Sequence, residues 1–141
     1  MANRWLFKTE PTQYSFADLE RDGGTRWDGV KNNLALKHLR AVRCGDLAVI
    51  YHTGGEKAAV GLARVTSDPY PDPEAGDPRL VVVDIEPLRR LVRPVPLDRI
   101  KADPRLRDCE LVRLPRLSVL PLSERQWQAL AALAGERAGG A

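Results

Sequence analysis

The chain has 141 residues and a mass of 15.7 kDa, with 43% hydrophobic and 29% charged residues, which is typical of one soluble globular domain. No apolar run approaches the ~20 residues of a membrane-spanning helix. The start shows no basic segment followed by an apolar one, so we expect a cytoplasmic protein with no membrane partner. Two cysteines and two histidines, widely spaced, nearly exclude a structural zinc site. We expect reduced thiols, no metal and no cofactor.

The net charge of +3, with a pI of about 9.1, is unevenly distributed along the chain. Residues 66–78 carry four acidic residues and no Lys or Arg, whereas residues 79–116 carry ten Lys or Arg against six acidic residues. Local basic density is typical of a surface that meets phosphate groups. An Arg-rich surface that is merely solvated would look the same, so charge alone leaves both interpretations open.

The first 52 residues are predicted to hold a strand at 4–8, a short helix at 14–21, a turn at 27–29, a helix at 31–40 and a strand buried on both faces at 46–52. Ser15 is expected to cap the first helix, and Asp18, three residues later, completes a capping box. Gly45 lies where the second helix is expected to have its C-cap.

The next strand, at 58–65, is expected to form a hairpin with the strand before it, and Gly61 within it predicts a bulge or a close backbone approach. An acidic, Pro-rich loop follows. The remaining elements are a half-buried strand at 79–88, a short helix at 96–102, a strand at 116–120 and a final helix opened by a capping box of Ser123 and Gln126. The apolar face of that helix includes Trp127 and Leu130 and is expected to lie in the core.

The predicted order of elements is β α α β β β α β α. Because the strands follow one another through hairpin-length turns and not through βαβ crossovers, we expect the α+β class, with a mostly antiparallel, barrel-like sheet and peripheral helices. The sequence shows no internal repeat and no linker. We therefore expect a single domain at residues 1–134 and a flexible C-terminal tail at 135–141, which is rich in Gly and Ala.

No motif in the sequence demands catalysis. A phosphate-binding loop, a GxGxxG turn and a GxSxG elbow are all missing from the sequence. A catalytic triad would need His38 or His52, and no pair of carboxylates stands out among the 19 acidic residues. We therefore expect a protein that binds rather than an enzyme.

Several polar or aromatic side chains lie where they could line a pocket. Asn32 shares a helix face with Leu36 and Leu39, so its amide is either bonded to nearby backbone or directed into a pocket. Trp27 lies outside any apolar stripe, and it either packs over the end of the sheet or stacks a base.

His52 and Thr53 end a buried strand at a loop, and Ser118 lies between two apolar residues. His52 and Ser118 are each either a satisfied structural group or part of a site. Lys8 could be an ordinary solvated lysine, and Tyr70 lies exposed or packed beneath its acidic turn. Taken singly, none of these residues specifies a function.

Seven segments, in order along nearly the whole chain, resemble the EVE domain family. They are WLFKTEP at 5–11, YSFADL at 14–19, WDGVKNNLA at 27–35, GDLAVIYHT at 45–53, VGLARV at 60–65, YPDP at 70–73 and RLSVLP at 116–121. The resemblance implies a PUA-like fold, a small twisted β-barrel with flanking helices. It also implies a non-catalytic module that reads a modified base, flipped into a pocket, in DNA or RNA.

The resemblance implies roles for particular residues. The base pocket would contain Trp27 as the aromatic wall, Asn32 on a base edge, His52, Thr53 and Ser118 on the polar side, and also Leu117 and Tyr14. The rim, with its phosphate contacts, would contain Lys8, Lys31, Arg116 and Tyr70. The chain departs from the family pattern at Lys31, at Thr53 and at Leu34, where the family often has Arg, Ser and an aromatic residue.

Two other classes of function stay open at this stage. The mild net charge fits a module that binds a small ligand or an unidentified protein partner, which predicts an acidic rim around Trp27. A PUA-like scaffold could also carry a nucleic-acid-processing enzyme, which predicts a carboxylate or His52 with a perturbed pKa inside the pocket.

Overall fold

A computed structural model describes residues 3–136. Within that range the strands are β1 (Arg4–Thr9), β2 (Thr25–Trp27), β3 (Leu47–His52), β4 (Ala58–Val65), β5 (Tyr70–Pro71), β6 (Val81–Pro96) and β7 (Val119–Leu122). The helices are α1 (Phe16–Asp22), α2 (Asn33–Ala41), α3 (Leu97–Ala102), α4 (Glu110–Arg113) and α5 (Glu124–Leu133), with a turn of 3₁₀ helix at Pro104–Leu106.

The strands form one curled sheet in the order β2-β6-β4-β3-β1-β7, and β5 pairs with β6 beside this path. Every pair is antiparallel except β1 with β3, which run parallel. Because β2 and β7 end the path, the described strands form a half-barrel. The predicted α+β class, with a mostly antiparallel sheet and flanking helices, is confirmed. The expectation of hairpin connections alone is wrong for β1 and β3, because α1, β2 and α2 lie between them.

Both predicted capping boxes are present. Ser15 Oγ accepts the Asp18 N–H at 3.1 Å, while the Asp18 carboxylate accepts the Ser15 N–H at 2.9 Å. Ser123 and Gln126 make the same reciprocal pair at 3.1 and 2.9 Å at the start of α5. These boxes satisfy amide groups that have no partner inside the helix, which fixes where α1 and α5 begin.

The close backbone approach expected at Gly61 is confirmed. The pairing of β4 shifts register on both of its sides near Gly61. A Cβ atom at this position would lie only 2.4 Å from the ring of Phe16, which is fully buried. The absence of a side chain at Gly61 therefore lets α1 pack directly on the sheet.

Two strands differ from the sequence-based expectation because their partners are distant in the chain. The predicted turn at 27–29 is wrong, since Trp27 belongs to β2 and pairs with Val83 of β6, and an irregular loop with Gly29 at a φ of 78° follows it. The strand expected at 79–88 continues to Pro96, because its second half pairs with β4.

Two boundaries also differ. The helix α2 ends at Ala41, where Val42 in extended conformation forms the C-cap, and Gly45 instead takes a positive φ of 95° in the turn into β3. The last strand begins at Val119 and not at residue 116, because α4 and a turn occupy the chain up to that point.

The described chain contains no helix long and apolar enough to cross a membrane. Of the predicted tail, residues 137–141 lie outside the described range. Glu136 accepts hydrogen bonds from Arg89 Nε at 3.1 Å and from the Val92 N–H at 3.0 Å, which ties it to β6.

Candidate nucleic-acid interface

A cleft of about 540 Å³ opens where β1 and β2 end and β7 begins. Its lining comes from four stretches of the chain: Lys8, Thr9 and Glu10; Gln13 and Tyr14; Thr25, Arg26, Trp27, Asp28, Gly29 and Val30; and Ser118. Pockets that hold small molecules measure roughly 300–1,000 Å³. The cleft is therefore large enough for a nucleobase together with part of its sugar.

The formal charges of the lining balance. Lys8 and Arg26 carry positive charge, and Glu10 and Asp28 carry negative charge. The acidic rim expected of a metabolite-binding module is therefore not found in this lining. Within residues 3–136, no group of three or more His, Cys, Asp or Glu could hold a metal ion.

Trp27 is the aromatic wall of this cleft and also part of the core. Its ring stacks on Phe7 with centroids 5.6 Å apart and planes at 29°, and it meets Tyr14 edge-on at 6.5 Å and 81°. Only 7% of the residue is exposed. The packed neighbours hold the indole rigidly, so a ligand meets a preformed aromatic surface.

Tyr14 is fixed by hydrogen bonds at both of its ends. Its hydroxyl donates to Asp22 Oδ2 at 2.9 Å, and its backbone carbonyl accepts from Thr9 Oγ1 at 2.7 Å. Burial is the largest cause that raises the pKa of Tyr14, so the phenol stays protonated at neutral pH and can donate a hydrogen bond.

Lys8 is a half-buried cleft residue rather than an ordinary solvated lysine. Its Nζ donates to the Pro115 carbonyl at 2.8 Å and lies 5.9 Å from the centre of the Tyr51 ring. Its backbone N–H donates to the Ser118 carbonyl at 2.9 Å, which joins β1 to the start of β7. Burial lowers the pKa of Lys8.

The expectation that Asn32 shares the inward face of Leu36 and Leu39 is wrong. Asn32 is exposed and lies outside the cleft lining, since it forms the N-cap of α2 and its Oδ1 accepts the Ala35 N–H at 3.0 Å. The N-cap residue has extended backbone, so helical periodicity does not apply to its side chain. A base contact through its free amide nitrogen stays a prediction.

His52, Thr53 and Leu117 lie outside the cleft lining. His52 has a structural role, because Nε2 accepts the Phe16 N–H at 3.0 Å and Nδ1 lies 2.7 Å from Glu56 Oε1. Thr53 donates its backbone N–H to Thr9, and Leu117 is buried at 4% exposure. These three residues support the strand ends that form the cleft.

Two of the predicted rim residues, Lys31 and Arg116, are exposed. Lys31 directly follows the cleft residue Val30, and Arg116 lies two residues before the cleft residue Ser118. Tyr70 lies outside the cleft lining but braces one of its residues. It accepts a hydrogen bond from Arg26 Nε at 3.3 Å and donates one to Asp84 at 2.6 Å.

Eight lining residues were not predicted from the sequence. Five of them belong to family-like segments, namely Thr9, Glu10, Asp28, Gly29 and Val30, so the resemblance itself could have flagged them. Gln13 lies between two such segments. Thr25 and Arg26 gave no local signal, because only their pairing with β6 brings them to the cleft.

The fold and the cleft together define a small α+β domain with a half-barrel sheet and a cleft of nucleobase size. The sequence matches the EVE domain over residues 3–133, so the chain belongs to the EVE domain family. Mouse thymocyte nuclear protein 1 is 28% identical over 167 residues, an alignment that covers 94% of this chain and 74% of that protein.

Solved structures agree with this assignment. A protein from Rhodopseudomonas palustris is 38% identical with a TM-score of 0.90, and the match covers 95% of this chain and 94% of that one. Human THYN1, solved in complex with 5-methylcytosine containing DNA, is 26% identical with a TM-score of 0.87 and covers 96% of this chain and 99% of its own. An ASCH protein from Zymomonas mobilis, at 14% identity over 93% of this chain and 95% of its own and with a TM-score of 0.61, shares the fold alone. The predicted PUA-like fold is confirmed.

Proposed function

We propose that this protein binds DNA that carries a modified base and accepts that base, turned out of the helix, in the cleft beside Trp27. One observation carries the proposal: the buried indole of Trp27 lines a preformed cleft of nucleobase size. The human relative bound to 5-methylcytosine DNA has the same fold over nearly its whole chain. This supports DNA as the first ligand to test, with RNA as the second.

The energetics of base extrusion agree with such a cleft. Turning a base out of a duplex costs a few kcal/mol in lost stacking and pairing. Stacking on an aromatic side chain returns roughly 1–3 kcal/mol. Phe7 covers one face of the Trp27 indole, so a base has only the rest of this ring to meet. A hydrogen bond from a polar group such as the Ser118 hydroxyl would supply further stabilisation.

The state of the cleft side chains supports binding rather than catalysis. The Lys8 ammonium is engaged by the Pro115 carbonyl, the Tyr14 phenol by Asp22, and the Glu10 carboxylate by Thr12. Among the described residues, the Ser118 hydroxyl has no hydrogen bond to a basic group. A nucleophile beside its general base, the usual arrangement in covalent catalysis, is therefore not part of this proposal.

The test is a binding titration of the protein against matched oligonucleotides with and without a single 5-methylcytosine, as duplex DNA, single-stranded DNA and RNA, at two salt concentrations. The variant Trp27→Phe keeps an aromatic ring against Phe7 but reduces the cleft surface. Trp127→Phe is the matched control, since Trp127 is buried to 5% exposure in α5 and lies outside the cleft.

We expect the protein to bind methylated DNA more tightly than unmethylated DNA. Trp27→Phe should weaken the affinity for methylated DNA by about tenfold, whereas Trp127→Phe should leave that affinity unchanged. Binding that depends on salt alone and ignores the methyl group would reduce the protein to a phosphate-backbone binder. A preference for modified RNA would show that the ligand is RNA and not DNA. Turnover of any oligonucleotide would support the enzyme hypothesis instead.

A further inference from the structure

Two exposed leucines each lie four residues along the chain from a residue of the cleft lining. Leu34, in the first turn of α2, comes four residues after the cleft residue Val30, and Leu114, directly after α4, comes four residues before the cleft residue Ser118. Their exposed fractions are 38% and 41%. We name this pair the leucine lip.

The contact between α2 and α4 places the two leucines on the same side. His38 Nε2 lies 3.2 Å from Glu110 Oε2, which joins the two helices. Leu34 lies one turn before His38 in α2, towards the cleft. Leu114 lies one turn after Glu110, because its N–H donates to the Glu110 carbonyl at 2.7 Å. Each leucine is thus one turn from this contact. In both helices it lies on the side that leads along the sequence to a cleft residue.

Cations without partners flank the leucine lip. Lys31, Arg113 and Arg116 are exposed, and their side chains make no hydrogen bond or ion pair within residues 3–136. Glu110, the carboxylate between the two helices, lies against His38 and offsets at most one of these three charges. Since the charges of the cleft lining balance, these three cations make its edge positive.

We propose that the leucine lip enters the base stack of double-stranded DNA beside the extruded base. The three flanking cations, Lys31, Arg113 and Arg116, meet the neighbouring phosphates. This inference rests on the proposed function. It adds that two particular residues act only when the DNA is double-stranded.

The reasoning follows from what base extrusion leaves behind. A base turned into the cleft leaves a gap in the stack, and apolar side chains such as Leu are able to fill such gaps and hold the flanking steps apart. An apolar pair bordered by cations is complementary to stacked bases bordered by phosphates. Solvent-exposed leucines elsewhere on a surface need no such explanation, but these two share an edge with the cleft.

The test uses the double variant Leu34→Ser/Leu114→Ser. The matched control is Leu88→Ser/Val92→Ser, which alters the other two exposed large hydrophobic residues of the described chain, at 40% and 70% exposure on β6 and outside the cleft lining. Thermal melting verifies that both variants fold. Fluorescence anisotropy then measures their affinity for a duplex with one 5-methylcytosine and for the methylated strand alone. A 2-aminopurine next to the modified base reports unstacking.

We expect the lip variant to lose about tenfold in affinity for the methylated duplex, with affinity for the single strand unchanged. The rise in 2-aminopurine fluorescence seen with the unaltered protein would be lost, and the control would behave as the unaltered protein.

Equal affinity of the lip variant and the unaltered protein for the duplex would overturn the inference and leave the lip to another occupant, such as a protein partner. An equal loss on duplex and single strand would also overturn it, because no duplex-specific role would remain. If the unaltered protein shows no preference for modified DNA, the proposed function fails and this inference fails with it.

Discussion

The Nε2 atom of His52 accepts the backbone N–H of Phe16 at 3.0 Å, which ties the last residue of β3 to the first residue of α1. Since Nε2 acts as acceptor, the proton of the neutral ring lies on Nδ1, which donates to Glu56 at 2.7 Å. Phe16 fills the space left by Gly61, and Tyr14 of the cleft lies two residues before it. His52 thereby positions the cleft without lining it.

Replacing this histidine should therefore lower stability. The change His52→Ala leaves the Phe16 amide, which is buried, without its acceptor, a loss that typically costs about 1–3 kcal/mol. We expect a lower urea midpoint, and a smaller change for Glu56→Gln, which keeps an acceptor oxygen for Nδ1. A midpoint for His52→Ala equal to that of the unaltered protein would contradict the structural role.

Asn32 should matter for stability through its capping hydrogen bond. Loss of a side-chain N-cap typically costs about 0.5–2 kcal/mol. We expect Asn32→Ala to lower the free energy of unfolding by this amount, and Asn32→Asp to preserve it, because aspartate also accepts the Ala35 N–H. Chemical denaturation measures both. Equal destabilisation by the two variants would show that capping is not the contribution of Asn32.

Lys8 should make the stability of the protein increase with pH in the alkaline range. Burial lowers its pKa below the ordinary value of 10.5, so the unfolded chain holds this proton more tightly than the folded protein. The cost of burying the charge is fully present below the folded pKa. It is relieved as pH rises from the folded pKa towards 10.5, so the contribution of Lys8 to stability increases with pH in that window.

The measurement compares unfolding free energies of the unaltered protein, Lys8→Met and Lys37→Met between neutral pH and pH 10. The unaltered protein and Lys37→Met should share the alkaline gain in stability relative to Lys8→Met, because Lys37 is exposed on α2. Parallel pH profiles for Lys8→Met and the unaltered protein would show that the Lys8 proton is held equally in both states.

The features that could be predicted from the sequence are those set by neighbours in the chain. Ser15 with Asp18 and Ser123 with Gln126 mark helix starts through contacts over three residues, and both were correct. Trp27 could not be placed in a strand, because its partner Val83 lies more than fifty residues away and nothing local signals the pairing.

The candidate site was harder to predict for the same reason. The cleft joins the ends of β1, β2 and β7, and only the fold brings Lys8, Trp27 and Ser118 together. Resemblance to the EVE family identified these three residues. It did not separate them from His52, which works beneath the cleft rather than in its lining.

The central claim is that a modified base enters the cleft beside Trp27, and the chain carries its own controls for a direct test. It has three tryptophans, so three indole N–H signals report on three places in the fold. The Trp5 indole donates to Asp46 at 2.9 Å, and the Trp127 ring in α5 packs under the Arg4 guanidinium. Both tryptophans lie outside the cleft lining.

The measurement is a ¹⁵N–¹H spectrum of the protein during titration with a duplex carrying one 5-methylcytosine, beside the unmethylated duplex. Our account predicts a shift of the Trp27 indole signal with the methylated duplex that the unmethylated duplex does not reproduce, while the signals of Trp5 and Trp127 stay in place. A bound duplex that leaves the Trp27 signal unmoved, or moves it equally with and without the methyl group, would contradict it.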